Sequence, residues 1–98
     1  MDDYKFEWDE SKSGSNLRKH GISFDEAISV FSDNLSRLIP DPDSSYGEER
    51  FIILGESSES RLLVVCHCYR DSQGVIRLIS ARRADKREQR KYKEFRHA

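Results

Sequence analysis

Val75-Ile-Arg-Leu-Ile-Ser-Ala-Arg-Arg-Ala84, followed at once by the charged run Asp85 to Arg96, decides how this chain folds. Val75 to Ala81 reads as a strand, because β-branched and aliphatic residues dominate it and a turn signal, Asp71-Ser-Gln-Gly74, precedes it. A strand buried on both faces would not carry Arg77, Ser80 and Arg82 so close together without a use for them. The run that follows predicts a helix from about Lys86 to Arg96, with Tyr92 one turn beyond Glu88 and Tyr92 and Phe95 as its apolar contacts. Cations at a strand end beside a helix bearing a tyrosine suit a polyanion, either held or chemically rearranged.

Working back from that strand, Arg61 to Tyr69 is long and strongly apolar, which predicts a central strand. Arg50 to Leu54 predicts another, and Gly55 to Ser60 the hairpin turn between them. Short turns make these last three strands an antiparallel meander. Leu35 to Ile39 predicts a short strand stopped by Pro40-Asp-Pro42, and Asp41 to Glu48 a polar loop with Gly47 as turn residue. Tyr4 to Trp8 alternates apolar and charged residues, as a half-buried strand does. Asp9 caps a predicted helix from about Glu10 to His20, ended by Gly21, whose thin apolar face is essentially Leu17 with parts of Asn16 and His20. Ser23-Phe-Asp-Glu26 has the spacing of a reciprocal capping box, and Phe24, Ala27, Ile28 and Phe31 make one stripe behind it. The expected fold is α+β, in the order β-α-α-β-β-β-β-α. Its helices are expected on one face of an antiparallel sheet, and a site on the other, partly polar face.

The 98 residues allow one domain, 1–98, with one core. Hydrophobic and charged contents are equal at 36%, so the core is modest and the surface heavily ionised. The net charge of −1 hides a split: residues 82–98 hold eight Lys/Arg against three acids, a balance of +5, and the other 81 residues carry −6. A basic end on an acidic body suits a nucleic-acid-facing surface, or equally a solvated helix face laced with ion pairs. No apolar run approaches a membrane span and the acidic start is unlike a signal peptide, so the expected location is the cytoplasm. Cys66 and Cys68 point to one face of their strand, roughly 6.6–6.8 Å apart along it, and His67 to the other. That geometry neither closes a disulfide nor converges on a metal, so two reduced thiols and no metal site are expected.

Several side chains are candidates for chemistry. Arg70, Arg77 and Arg82 lie at or near the ends of the last two strands, and arginine grips phosphate bidentately without losing its charge. Arg82 shares a face with Ser80, whereas Arg77 in a regular strand points the other way. A bulge, or an ion pair for Arg77, would resolve this. His67 has an intrinsic pKa suited to proton transfer, although a lone histidine on an apolar strand also packs as core. His20, beside Lys19, sits at a helix end and suits either the helix dipole or an anion. Glu49-Arg50 opens a strand as a surface ion pair, a general base or an RNA clamp. Tyr92 can stack on a base, hold a phosphate or cap the core. No Gly-rich phosphate loop, Ser/His/Asp order or zinc motif is present.

Four pieces occur in order: Phe6-Glu-Trp-Asp9 with Lys12, Asn16 and Lys19-His-Gly21; Phe24-Asp-Glu-Ala27 with Val30-Phe31; Asp41-Pro-Asp43 with Glu49-Arg-Phe51 and Gly55; and Arg70 with Ile76-Arg77, Ile79-Ser-Ala-Arg82, Ala84, Glu88 and Tyr92. Over essentially its whole length the chain resembles the BrnT toxin family of the wider RelE-like group. The resemblance implies a metal-independent, cofactor-free ribonuclease toxin of a bacterial type II toxin–antitoxin module. Such a toxin activates a ribose 2′-hydroxyl and leaves a cyclic phosphate and a free 5′-hydroxyl. It also implies a BrnA-like ribbon-helix-helix antitoxin in a hetero-oligomer that binds operator DNA through the antitoxin. By position, Arg70, Arg77, Ser80, Arg82 and Tyr92 match the family pattern, and Lys19, His20, Glu49 and Arg50 match its earlier motifs. A looser similarity to RelE adds Arg61 and Lys86 as phosphate-binding groups. One departure is Ser44, where relatives with the Asp-Pro-Asp loop often place a histidine.

The expected roles are therefore Arg70 and Arg82 on the scissile phosphate, His67 or Glu49 as base, and Tyr92 positioning the substrate. Lys19, His20, Arg50, Arg61, Arg77, Ser80 and Lys86 would hold RNA. The alternative is a catalytically weakened RelE-like partner that acts as co-repressor with a DNA-binding antitoxin. A stand-alone RNA-binding domain is a third possibility, with salt-sensitive affinity and no cleavage.

Overall fold

The computed structural model describes residues 5–42, 49–70 and 74–96, with side chains up to Glu94. Ser44, most of the loop predicted at 41–48, the turn residues Asp71 to Gln73 and the Phe95 side chain lie outside the described residues.

The elements follow the predicted order: β1 (Lys5–Glu7), α1 (Glu10–His20), α2 (Phe24–Ile28) with a 3-10 turn (Ser29–Ser32), β2 (Arg37–Pro40), β3 (Arg50–Glu56), β4 (Leu62–Tyr69), β5 (Val75–Arg83) and α3 (Lys86–Arg96). They build a five-stranded sheet in the order β1-β5-β4-β3-β2, with β4 central. β2 to β5 pair antiparallel as expected, but β1 runs parallel to β5, so the sheet is mixed. A parallel edge needs a long crossover, and everything from α1 to β4 supplies it.

The helices are not on one face. Ile53, Leu63, Val65, Ile76, Leu78 and Ala81 point toward α1, α2 and the 3-10 turn, meeting Ile22, Phe24, Ala27 and Val30 in the main core. The neighbours of opposite parity, Leu54 and Val64 with Ile52 and Leu62, meet Ala84 and Tyr92 of the α3 segment on the other side. Leu62 to Val65 is apolar on both faces because each face has a helix to bury it. A continuous apolar run does not tell how many faces are covered.

α1 begins at Asp9, whose carboxylate accepts from the Ser11 and Lys12 amides, and ends at Gly21 in the left-handed region (φ 72°). Its attachment is polar. Leu17 is 51% exposed, while Asn16 is buried. The Asn16 amide donates to the carbonyls of Ile22 and Ala81 and accepts from the Ala81 amide, at 2.8–3.0 Å. β1 pairs only with residues 75–77 of β5, so Asn16 takes the place of a neighbouring strand further along.

The Ser23 cap is half a box. Ser23 accepts from the Glu26 amide, but the Glu26 carboxylate turns to Ser57 and Arg61 of the β3–β4 hairpin. A reciprocal box occurs at α3 instead: Glu88 N–H donates to Asp85 Oδ1 and Asp85 N–H to Glu88 Oε1, both at 2.8 Å. The stripe predicted over Phe24 to Phe31 breaks into a 3-10 turn at Ser29. There the Ser29 hydroxyl donates back to the Glu26 carbonyl at 2.6 Å and tightens the chain.

Candidate functional site

β5 is not regular. Ala81 opposes Val65 and Ser80 opposes Cys66, but His67 opposes Leu78, so Ile79 is one residue too many. A one-residue bulge inverts the side-chain parity beyond it. Arg77 opposes Cys68 and Arg82 opposes Val64. Cys68 and Val64 lie four apart on β4 and share a face, so Arg77, Ser80 and Arg82 share one too. The conflict in the sequence is resolved by the bulge, with an ion pair for Arg77 as well.

The register extends this face across the sheet. Glu7 of β1 neighbours Arg77, which opposes Cys68, which opposes Arg50. α3 covers the Leu54–Val64 end of the face. At the other end, Arg70 and Arg77 approach a single atom, Glu7 Oε2, at 3.3 and 3.6 Å. The side chains of Arg70, Arg77 and Glu7 are 51%, 32% and 42% exposed, and Ser80 is exposed. Cys68 is buried in the same row, and Cys66 donates its thiol toward Asp41 Oδ2 at 3.4 Å. Burial, with Asp41 beside it, pushes the Cys66 thiol up to about 12, so it is protonated and no nucleophile at neutral pH.

Two other arginines are held differently. Arg82 makes two parallel bonds to Glu88, Nη1 to Oε1 at 2.9 Å and Nη2 to Oε2 at 2.8 Å, pinning the first turn of α3 to the end of β5. The Arg82 guanidinium holds the Glu88 carboxyl below its ordinary range. Arg61 bonds to Glu26 through Nε at 2.9 Å and through a second contact from Nη2, and so locks the hairpin to α2. Arg61 therefore joins structural elements away from the row of Arg77 and Arg50.

His67 and Tyr92 are not brought to the arginines. His67 is fully buried on the opposite face, with ring contacts to Phe31, Phe51 and Tyr69. Its Nδ1 lies 3.2 Å from the Val65 carbonyl, and burial lowers its pKa. That placement removes it as a base for a substrate on the arginine face. Tyr92 is buried in the second core and donates its hydroxyl to Asp33 Oδ2 at 2.6 Å, so the substrate-positioning role does not fit it. Asp33 also accepts from the Glu56 amide and packs against Gly55, where a Cβ would stand 3.1 Å from Asp33 Oδ2. Lys19 and His20 are exposed and line one cleft with Lys12, Ile79 and Ser80, so the α1 cations border the bulge. Glu49 is exposed just before β3, and Lys86 is exposed at the start of α3.

Sequence reasoning missed Glu7 and the parallel β1–β5 pairing that places it. The Glu7 side chain follows from the alternation of Phe6, Glu7 and Trp8, but its neighbour does not. Among the described residues no three His, Cys, Asp or Glu side chains converge as metal ligands, and no helix is long and apolar enough to cross a membrane.

The family model for the ribonuclease toxin BrnT of type II toxin–antitoxin systems matches residues 8–88. The chain belongs to the BrnT family. The fold agrees with a crystal structure of the Brucella abortus ribonuclease toxin BrnT. The identity is 24% and the TM-score 0.64, over 85% of this chain and 99% of that one. No curated protein matches the chain. Membership in a family of ribonuclease toxins implies an RNA target and an antitoxin partner. The BrnT match spans the bulge, Arg50, Arg70, Arg77 and Arg82, and begins one residue after Glu7.

Proposed function

We propose that this protein is a cytoplasmic, metal-independent endoribonuclease toxin whose working surface is the arginine row of the sheet. The observation that carries this is the Ile79 bulge, which sets Arg77 on the same face as Ser80 and in one row with Arg50. A ribose 2′-oxygen attacks the adjacent phosphorus, the P–O2′ bond forms and the P–O5′ bond breaks. The products are a 2′,3′-cyclic phosphate and a free 5′-hydroxyl. Arg50, Arg70 and Arg77 hold the phosphate and stabilise the charge that grows on its oxygens. Glu49, exposed beside Arg50, takes the 2′-proton, and the departing 5′-oxygen takes up a proton from solvent water. Lys19, His20 and Ser80 guide the strand over the bulge, and Lys86 extends the basic border. Arg82, Arg61 and Tyr92 hold the scaffold.

The partner we propose is a BrnA-like ribbon-helix-helix antitoxin, which binds operator DNA for the complex and covers the arginine row. A short ribbon-helix-helix reading frame immediately downstream would support this, and its absence would count against it.

The test is incubation of the purified protein with RNA in excess chelator, followed by end mapping. Cyclic phosphate and 5′-hydroxyl ends are expected. Full-length RNA, or cleavage only with added divalent ions, would refute the proposal. One observation favours the co-repressor alternative: Arg70, Arg77 and Arg82 each already face a glutamate. Growth arrest on induction without antitoxin, relieved by co-expression, separates a working toxin from a silent partner.

A further inference from the structure

We infer that Arg70 and Arg77 form a phosphate subsite and that Glu7 is its resident competitor, a carboxylate that RNA must displace before binding there. The inference rests on the proposed RNA-facing role of this surface and adds how access to it is controlled.

The geometry is that of a shared anion position. Nε of Arg70 and Nη1 of Arg77 converge on the same oxygen, Glu7 Oε2. Two guanidinium groups from different strands that meet at one oxygen make a seat for any anionic oxygen, and a phosphodiester carries two. The contact is loose. Charge-assisted N–H···O bonds lie near 2.7–2.9 Å. Both Arg82–Glu88 bonds fall in that range, whereas the Glu7 contacts are 3.3 and 3.6 Å. All three Glu7-site side chains reach solvent, where such pairs contribute little and exchange readily.

The backbone of Glu7, by contrast, does not drift. Its neighbours Phe6 and Trp8 are anchored by ring contacts to Phe31 and Phe24. The pairing of Glu7 with Arg77 holds the Cα opposite the subsite. Only the side chain has to rotate for the seat to open, and one singly charged oxygen anion then replaces another between the two guanidinium groups. Stray anions then gain little from the subsite, while an RNA that also engages Arg50 can win it.

The experiment measures the affinity of the full chain for a short RNA made wholly of 2′-O-methyl nucleotides, so that binding is read without cleavage. Glu7→Gln is expected to tighten binding about three- to ten-fold, the ratio set by one or two exposed ion pairs. Arg77→Ala is expected to weaken it. Glu7→Asp, which keeps the charge on a shorter arm, should fall between wild type and Glu7→Gln. Thermal unfolding checks that each variant folds. Unchanged or weaker binding by Glu7→Gln overturns the competitor role and leaves Glu7 as a residue that positions the arginines. Tighter binding by Glu7→Gln with no cleavage of all-ribose RNA by any variant would support the subsite and defeat the ribonuclease reading. If neither Glu7→Gln nor Arg77→Ala changes affinity, the subsite and the RNA-facing role both fall.

Discussion

The two ends of β5 carry the same chemistry to opposite purposes. At the far end, Arg82 meets Glu88 through two bonds at 2.8–2.9 Å. The same carboxylate also accepts from the Asp85 amide, so it closes a helix cap and a strand–helix joint together. At the near end, Arg77 shares one oxygen of Glu7 with Arg70 at 3.3–3.6 Å, and the helix that follows is capped by Asp9 rather than by Glu7. An arginine with a bidentate partner that also caps a helix is a strut. An arginine with a single shared oxygen keeps most of its donors for a ligand. Residue type says only that both are cations, and the partner's other obligations decide what each does.

The sharpest way to break this contrast is Arg77→Ala. Cleavage should fall by about 10²- to 10³-fold, the usual cost of losing one preorganised donor to a transition-state oxyanion. The melting temperature should barely move, because Arg77 is a partly exposed member of a loose pair. Initial rates on a defined RNA, with a thermal melt beside them, measure both. A large loss of stability with unchanged cleavage would make Arg77 a strut like Arg82.

Much of this was legible in the chain. The helices α1, α2 and α3 are all expected, though not the 3-10 turn after α2, and the bounds of α1 and α3 follow from Asp9, Gly21 and the turn at Ala84-Asp85. The meander follows from short turns. What the sequence hides are relations between distant segments. The parallel pairing of β1 with β5 depends on which edge is free, and Phe6-Glu-Trp8 carries no sign of it. The side taken by α3 depends on whether Ile52, Leu54, Leu62 and Val64 have company, and an apolar run reads the same either way. The bulge was legible only as a contradiction, since Arg77 and Ser80 could not both face one site on a regular strand. Two spacings of the capping-box kind, at Ser23 and Asp85, are alike in sequence; Glu26 is drawn away by Arg61, while Glu88 serves its box and Arg82 together.

The back of the central strand gives the next prediction. His67 is buried with its pKa lowered, so below its ordinary value near 6.5 the unfolded chain takes up a proton that the folded chain refuses. Stability should therefore be level above about pH 6.5 and fall as the pH drops below it, by at most about 1.4 kcal/mol per pH unit, until the lowered folded-state pKa is reached. His67→Phe should flatten that stretch of the curve in denaturant titrations. It should leave untouched the pH profile of cleavage between 5.5 and 7, because His67 is on the face away from the arginines. A changed kinetic profile with an unchanged stability profile would return His67 to the chemistry.

Arg82→Ala should show the smallest effect, and it is the variant that tests whether a strut was read correctly. The pair is partly exposed, with 43% of the Arg82 side chain accessible, so solvent screening reduces its contribution to about 1 kcal/mol. That loss should show as a lower melting temperature, with cleavage at saturating RNA within a few-fold of wild type. Most of it should be coupling to Glu88: in a double-mutant cycle, Arg82→Ala should cost far less once Glu88→Ala is in place. The acid limb supplies an independent check. Arg82 lowers the Glu88 pKa in the folded protein, so the contribution of the pair is whole above the ordinary glutamate value near 4.3 and is lost as the pH falls through the lower folded value. Arg82→Ala should shrink that limb to the part held by the Asp85 amide and leave the His67 limb at higher pH in place. If Arg82→Ala instead abolishes cleavage in a protein that melts normally, the bidentate contact to Glu88 is a resting state, and both ends of β5 serve the substrate.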